Sequence, residues 1–362
     1  MQRREYFPFL DALRGLSFIG IFILHASQPM WDNSLIDKFL HHFRFSLSFS
    51  IDVFFILSSF LLTYLGLREF EKHGRFSFKN YFLRRALRIW PLYYLIMVLS
   101  FLVIPLLGSK LNMNITFPDP WYYIFFVSNF YTEDHVFFLR VLWTLSVEEQ
   151  FYLVLGLSLL FFIKRIFYVF ILLLAFSLVY TATIYIKGVD GYYNTLTYLV
   201  DFSFGGFAAI AYYKRNGIFK WVTNLSKTRS RLFNSYLLIH FFIFFFLFSV
   251  SDSPWLFLVN RYLVIVYISL LILKGVELKN WPVFRSRFLI YTGKISYGLY
   301  CFHGAAITFF IKLLPERNIG MKTLTFIITL LATYMLAILS YELYEKPFLR
   351  LKEKFRGKNK LA

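Results

Sequence analysis

The chain has 362 residues, of which 58% are apolar, 22% aromatic and 16% charged, with 48 Phe and 26 Tyr. Soluble domains carry about a quarter charged residues, so this composition and a mean hydropathy of +0.58 exclude a water-soluble domain, as they exclude disordered, collagen-like and disulfide-stapled classes. The net charge of +19, from 39 basic and 20 acidic residues, raises nucleic acid as a partner, and the placement of the basic residues decides against it.

A membrane crossing takes about 20 mostly apolar residues. Ten stretches qualify in chain order: 8–30, 45–65, 89–107, 144–163, 166–186, 195–213, 235–250, 254–274, 295–312 and 322–343. The first follows a basic start and resembles a signal peptide. Asp11 and Arg14 interrupt it and no small-residue cleavage site follows, so it is read as the first span. Lys164-Arg165 separates the fourth and fifth spans, and Ser251-Asp252-Ser253-Pro254 the seventh and eighth, so both pairs read as helical hairpins. The outer segment 108–142 carries Trp121-Tyr122-Tyr123-Ile124-Phe125-Phe126, which reads as an interfacial or re-entrant piece. The one cysteine, Cys301, has no partner for an internal disulfide.

Lys and Arg gather in alternate loops. The stretch 66–88 holds seven, 214–234 holds six without an acid, and the tail from Lys346 holds seven. The opposite loops hold Lys38 and Arg44, then Lys110 and Arg140, then Lys187. The expectation is an all-α polytopic membrane protein of about ten spans with both termini cytoplasmic. A single transmembrane domain over 1–350 and a basic cytoplasmic tail over 351–362 follow from this. The charge is topological.

Ionisable residues inside spans face cavities or partners. In the first span, eleven steps of about 100° bring His25 to within about 20° of Arg14, on one face and about 16 Å apart along the axis. Asp11, at i−3 from Arg14, is placed for an ion pair; the plainer reading is that Asp11 and Arg14 mark the headgroup boundary. At the fourth span, Trp143-Thr144-Leu145-Ser146-Val147-Glu148-Glu149-Gln150-Phe151-Tyr152 brings two adjacent carboxylates to a helix start. Neighbours lie about 100° apart, so one of Glu148 and Glu149 points inward; the plainer account is a helix dipole tolerating acids. Arg84, Arg85 and Arg88 open the third span as a basic triplet. Arg84 and Arg88 are i,i+4 neighbours suited to one phosphate, or simple cytoplasmic anchors. Asp52, Asp201 and His303 are weaker signals, and Gly205-Gly206 reads as close helix packing.

Taken in order, these pieces resemble the acyltransferase-3 family of integral-membrane O-acyltransferases. The carriers are Phe9-Leu10-Asp11-Ala12-Leu13-Arg14-Gly15 through His25, Ser50 to Leu61 around Asp52, and Leu83-Arg84-Arg85-Ala86-Leu87-Arg88-Ile89-Trp90-Pro91. Trp143 to Tyr152, Ile295 to His303, and Tyr344-Glu345-Lys346-Pro347-Phe348 complete them. Arg14 and His25 meet the family's Arg, ten residues, His pattern, and Arg84, Arg85 and Arg88 its RRxxR pattern. Ala12 and Ser59 stand where Gly is common.

The resemblance implies transfer of an acyl group, acetyl in most members, from cytoplasmic acyl-CoA to a hydroxyl of an extracytoplasmic glycan or lipid-linked sugar. It implies a multi-pass protein of a bacterial inner membrane and no metal. The expected form is the stand-alone one, without the SGNH hydrolase-like domain that some members carry. The basic triplet suits CoA phosphates, and His25 suits removal of the acceptor proton, with Glu148 or Glu149 setting its tautomer. Arg14 serves either the donor or a carboxylate. The rival reading is a transporter or flippase of envelope lipid or sugar, which has no use for a nucleotide-phosphate clamp and in which two related halves are often seen; none are visible.

Overall fold

A backbone in lipid has no water to bond, so its N–H and C=O groups pair within the chain, and helices do this locally. The computed structural model describes residues 6–27, 43–44, 46–106, 117–131, 137–225, 228–233, 235–236, 254–277, 283–314 and 319–355. Among the described residues there are helices and turns and no strand. The helices run α1 (Pro8–Ala26), α2 (Ser50–His73), α3 (Phe78–Val98), α4 (Pro120–Ile124), α5 (Phe137–Arg140), α6 (Trp143–Phe162) and α7 (Ile166–Ile186). They continue with α8 (Thr195–Lys214), α9 (Ile218–Thr223), α10 (Pro254–Glu277), α11 (Arg287–Lys294), α12 (Ser296–Leu313), α13 (Ile319–Leu339) and α14 (Lys346–Glu353). This is an all-α polytopic membrane protein.

Among the described residues, six stretches are long and apolar enough to cross a bilayer: Pro8–Ala26, Leu47–His73, Phe78–Leu106, Phe137–Ile186, Trp255–Glu277 and Gly320–Glu353. The expected fourth and fifth spans share the 50-residue stretch Phe137–Ile186, more than twice the length of one crossing at about 20 residues, and the 3₁₀ turn Ile163–Arg165 divides it. The sixth and ninth are present as α8 and α12, made less apolar by Asp201 and two glycines in one and by His303 and two tyrosines in the other. The seventh span falls almost wholly outside the described residues, as do the Ser251-Asp252-Ser253 link, Lys38, Lys110 and the tail beyond 355.

The chain divides into two units. The first is drawn from Met1–Gly74, Lys164–Gly191 and Leu196–Lys294, the second from Arg75–Ile163, Tyr192–Thr195 and Ile295–Ala362. The first unit has a core of Phe9, Leu13, Ile56, Phe60, Tyr64 and Tyr212, with Ile265 and Ile272 of α10. Within it α7 buries Ile166, Phe170, Ser177, Thr181 and Ile184, spaced as one helical stripe. Its other faces expose Leu172 and Val179, which is stable only against lipid. In the second unit α3 lies against α6 and α14, and α12 against α5 and α13.

Two glycine pairs set the closest approaches in the first unit. Gly205 meets the Ile56 carbonyl and Gly206 the ring of Phe170, so α8 sits on α2 and α7 as its Gly-Gly suggests. α1 and α11 touch backbone to backbone: a methyl at Gly293 would overlap the Asp11 carbonyl, and one at Gly15 the Leu289 carbonyl. A backbone obstacle has no rotamer by which to yield. Gly293→Ala is expected to destabilise by about 1–3 kcal/mol, the usual cost of overpacking. A wild-type melting temperature for the purified variant would refute that seam.

Candidate active site

The first unit carries the α1 face. Pro8 opens α1 without a missing bond, since the first helical N–H groups have no partner in any case. Asp11 lies in the first turn and Arg14 one turn on; the Arg14 Nη1 to Asp11 Oδ1 distance is 3.5 Å, with the side chains 12% and 17% exposed. The expected ion pair is present. His25 is half-buried in the last turn, and the unbroken helix keeps its spacing from Arg14 at about 16 Å.

The second unit carries the carboxylates and the arginine triplet, on α6 and α3. The Trp143 to Tyr152 run is mostly scaffold. The Thr144 hydroxyl donates to Tyr300 Oη at 2.7 Å, and the Ser146 and Ser128 hydroxyls meet at 2.8 Å. Gln150 Nε2 donates to the Phe126 carbonyl and to Asn129 Oδ1, both at 2.8 Å. Of the two carboxylates Glu149 is the inward one, 9% exposed, while Glu148 is half-buried and accepts the Tyr152 hydroxyl at 2.8 Å. Glu149 Oε2 accepts Trp90 Nε1 at 3.1 Å. Its Oε1 is buried with no hydrogen-bond partner, and an oxygen so placed costs free energy unless something else meets it.

The three arginines are all half-buried. Arg84 Nη1 donates to the Phe355 carbonyl just beyond α14 at 3.0 Å. His303 is buried, its Nδ1 2.5 Å from the Tyr300 carbonyl.

One charged cluster in the first unit is not foreseen from sequence. Arg261 of α10 donates through Nε and Nη2 to Asp52 Oδ1 at 2.9 and 2.7 Å, and through Nη2 to Asp201 Oδ2 at 2.6 Å. Its guanidinium sits 4.8 Å from the Tyr198 ring centroid. The three side chains are 7%, 5% and 0% exposed. They tie α2, α8 and α10 together. The signal in the sequence is a lone arginine inside an apolar run, as costly there as Asp52 and Asp201 are in theirs. Among the described residues no group of three or more His, Cys, Asp or Glu is placed to hold a metal.

The sequence profile of the acyltransferase-3 family, described as an acyltransferase domain, matches residues 7–342. The chain belongs to that family. Among relatives, a Staphylococcus aureus (strain COL) protein provisionally named an O-acetyltransferase is 26% identical over 368 residues, covering 96% of this chain and 58% of its own length. The peptidoglycan O-acetyltransferase OatA of Listeria monocytogenes is 26% identical over 388 residues, covering 98% and 58%. The O-acetyltransferase OatA of S. aureus (strain NCTC 8325) is 28% identical over 173 residues, covering 46% and 26%. The chain thus spans 58% of the length of the first two. No solved structure matches it. The chain is thus an integral membrane protein of the acyltransferase-3 family, and its candidate site residues lie on α1, α3 and α6.

Proposed function

We propose that this chain is a membrane O-acyltransferase moving an acyl group, acetyl in the first instance, from cytoplasmic acyl-CoA to a hydroxyl of an extracytoplasmic glycan or lipid-linked sugar. The family match over 7–342 carries the reading. The relatives' O-acetyltransferase names support acetyl as the group, and the peptidoglycan acceptor of the Listeria relative supports an envelope glycan. The distribution of Lys and Arg supports a cytoplasmic position for α3's start and both termini in a bacterial inner membrane; in this reading residues 1–350 act as one transmembrane domain with 351–362 as its tail.

In this reading Arg84, Arg85 and Arg88 receive the CoA phosphates, and the polar face of α1 guides the donor's arm with Arg14 at its inner end. His25, near the outer end, takes the proton as the acceptor oxygen attacks the thioester carbonyl. The C–S bond then breaks and the imidazolium returns its proton to the leaving thiolate, so no charge is left behind. Glu148 and Glu149 are the alternative bases; Glu149 is the better candidate because one of its oxygens is buried without a hydrogen-bond partner.

Isothermal titration of the purified chain with acetyl-CoA tests the donor. Arg85→Gln with Arg88→Gln removes two charge-assisted bonds of about 1.5–3 kcal/mol each, so affinity should fall by about a hundred-fold or more. Arg84→Gln also releases the Phe355 carbonyl and is read separately by the stability of α14. Unchanged binding in the double variant would return the triplet to the role of an anchor. Deletion of the gene followed by mass spectrometry of envelope glycans tests the acceptor, the expected result being loss of one acetyl mass per modified unit.

A further inference from the structure

The indole of Trp90 on α3 is packed among aromatic rings. Phe82 and Tyr94 meet it edge-on, with centroids 5.5 and 6.0 Å away, and Phe126 lies closer to parallel with it at 6.1 Å. Close packing of this kind leaves a flat ring little freedom to turn. The polar atom of the indole, Nε1, is a donor only, and it donates to Glu149 Oε2 of α6 at 3.1 Å.

The Phe126 ring is presented by an unusual backbone. Phe126 has φ 54°, a left-handed conformation that a bulky residue keeps only where its surroundings compel it. Here both helices do so. Tyr93 and Tyr94 of α3 donate to the carbonyls of Tyr123 and Ile124 at 2.9 and 3.1 Å, and Gln150 of α6 donates to the Phe126 carbonyl at 2.8 Å. Tyr93 also stacks on the Phe126 ring at 4.4 Å. Strained residues of this kind gather at functional sites. In this one the strained turn backs Trp90, and Trp90 holds one oxygen of Glu149. The other oxygen, Oε1, is buried and has no hydrogen-bond partner. A carboxylate is rigid and planar, so fixing Oε2 and the side-chain stem also fixes Oε1. An acceptor held in place and left unsatisfied is suited to a hydroxyl that a ligand brings.

We propose that Trp90 is a positioning residue for Glu149, holding Oε2 so that Oε1 meets the hydroxyl of the acyl acceptor. The inference rests on the reading of Glu149 as a group of the transfer site and adds to it the residue that sets its orientation.

The test is a double-mutant cycle on the full chain: wild type, Trp90→Phe, Glu149→Gln and the combination, expressed at matched levels in cells lacking the gene. Mass spectrometry follows the initial rate at which acetyl groups appear in the total envelope glycans, and the purified variants supply acetyl-CoA affinities and melting temperatures. Trp90→Phe keeps an aromatic ring and removes the N–H. It is expected to slow transfer by about 10–100-fold, since misplacing a reacting group by about 1 Å can cost as much, while acetyl-CoA affinity stays at the wild-type value. Once Glu149 is replaced, the same change should add less than about two-fold, because the two residues act as a unit. An equal loss in both backgrounds would make Trp90 mere scaffold, and a loss of donor affinity matching the loss of rate would place it in the donor pocket. Either result, or wild-type transfer by Trp90→Phe, overturns the proposal, while a loss in Glu149→Gln alone keeps Glu149 in the site. Wild-type transfer by Glu149→Gln would remove Glu149 and this inference with it, and leave the acyltransferase reading intact. Should Trp90→Phe fail to fold, 3-benzothienylalanine at position 90 decides: it keeps the fused ring and puts sulfur in place of the N–H, and wild-type transfer there would also overturn the proposal.

Discussion

Replacing His25 with alanine is expected to lower acyl transfer by about 10²–10⁴-fold, the ordinary worth of a general base. The face of α1 carries Asp11, Arg14 and His25, and only the imidazole among them changes charge near neutral pH. Asp11 and Arg14 hold each other at 3.5 Å, and His25 is the proton acceptor proposed for that face. Donor binding should survive, since the phosphates are assigned to α3, and titration with acetyl-CoA on the same preparation checks this. Glu149→Gln belongs in the same experiment: a smaller loss than that of His25→Ala makes it an orienting group, a larger one makes it the base. Near-normal transfer by His25→Ala in nanodiscs would take the histidine out of the chemistry and leave Glu149 as the leading candidate.

Arg261→Met is expected to cost about 3–5 kcal/mol, because it strands the Asp52 and Asp201 carboxylates in the interior without their counter-charge. The side chain removed makes bonds of 2.6–2.9 Å to both. The sign of the effect should reverse when the carboxylates go too. Arg261→Met combined with Asp52→Asn and Asp201→Asn has no buried charge left, and recovers much of the loss if uncompensated charge is the cause. Melting temperature and monodispersity of the detergent-purified variants read this directly. A single Arg261→Met variant as stable as wild type would mean that the cluster is not what joins α2, α8 and α10.

Most of the helices were legible because lipid demands apolar length. Gly205-Gly206 was legible as a packing device for a related reason: small residues let backbones approach. The division into two units was not, since each is assembled from three separated stretches and no local pattern marks which stretches will meet. Within the candidate site, Asp11 and Arg14 announced their pairing by spacing alone. The Trp143 to Tyr152 run reads in sequence as chemistry, yet Thr144, Ser146 and Gln150 are committed to neighbouring side chains and carbonyls, and only Glu149 keeps an oxygen uncommitted. Arg261 is not legible as a site residue because a single charge hardly lowers the hydropathy of a 24-residue helix.

The Asp52–Arg261–Asp201 cluster also sets a clock on biosynthesis. Arg261 lies 209 residues after Asp52 and 60 after Asp201. At about 5–20 residues per second, the carboxylate of Asp52 leaves the ribosome roughly 10–40 seconds before its cation exists. During that interval the nascent chain carries an acid that neither lipid nor its eventual neighbours can neutralise. Early helices must therefore wait at the translocon, at the membrane surface or beside a chaperone until α10 is made, and the first unit closes late in translation although α1 is made well before α10.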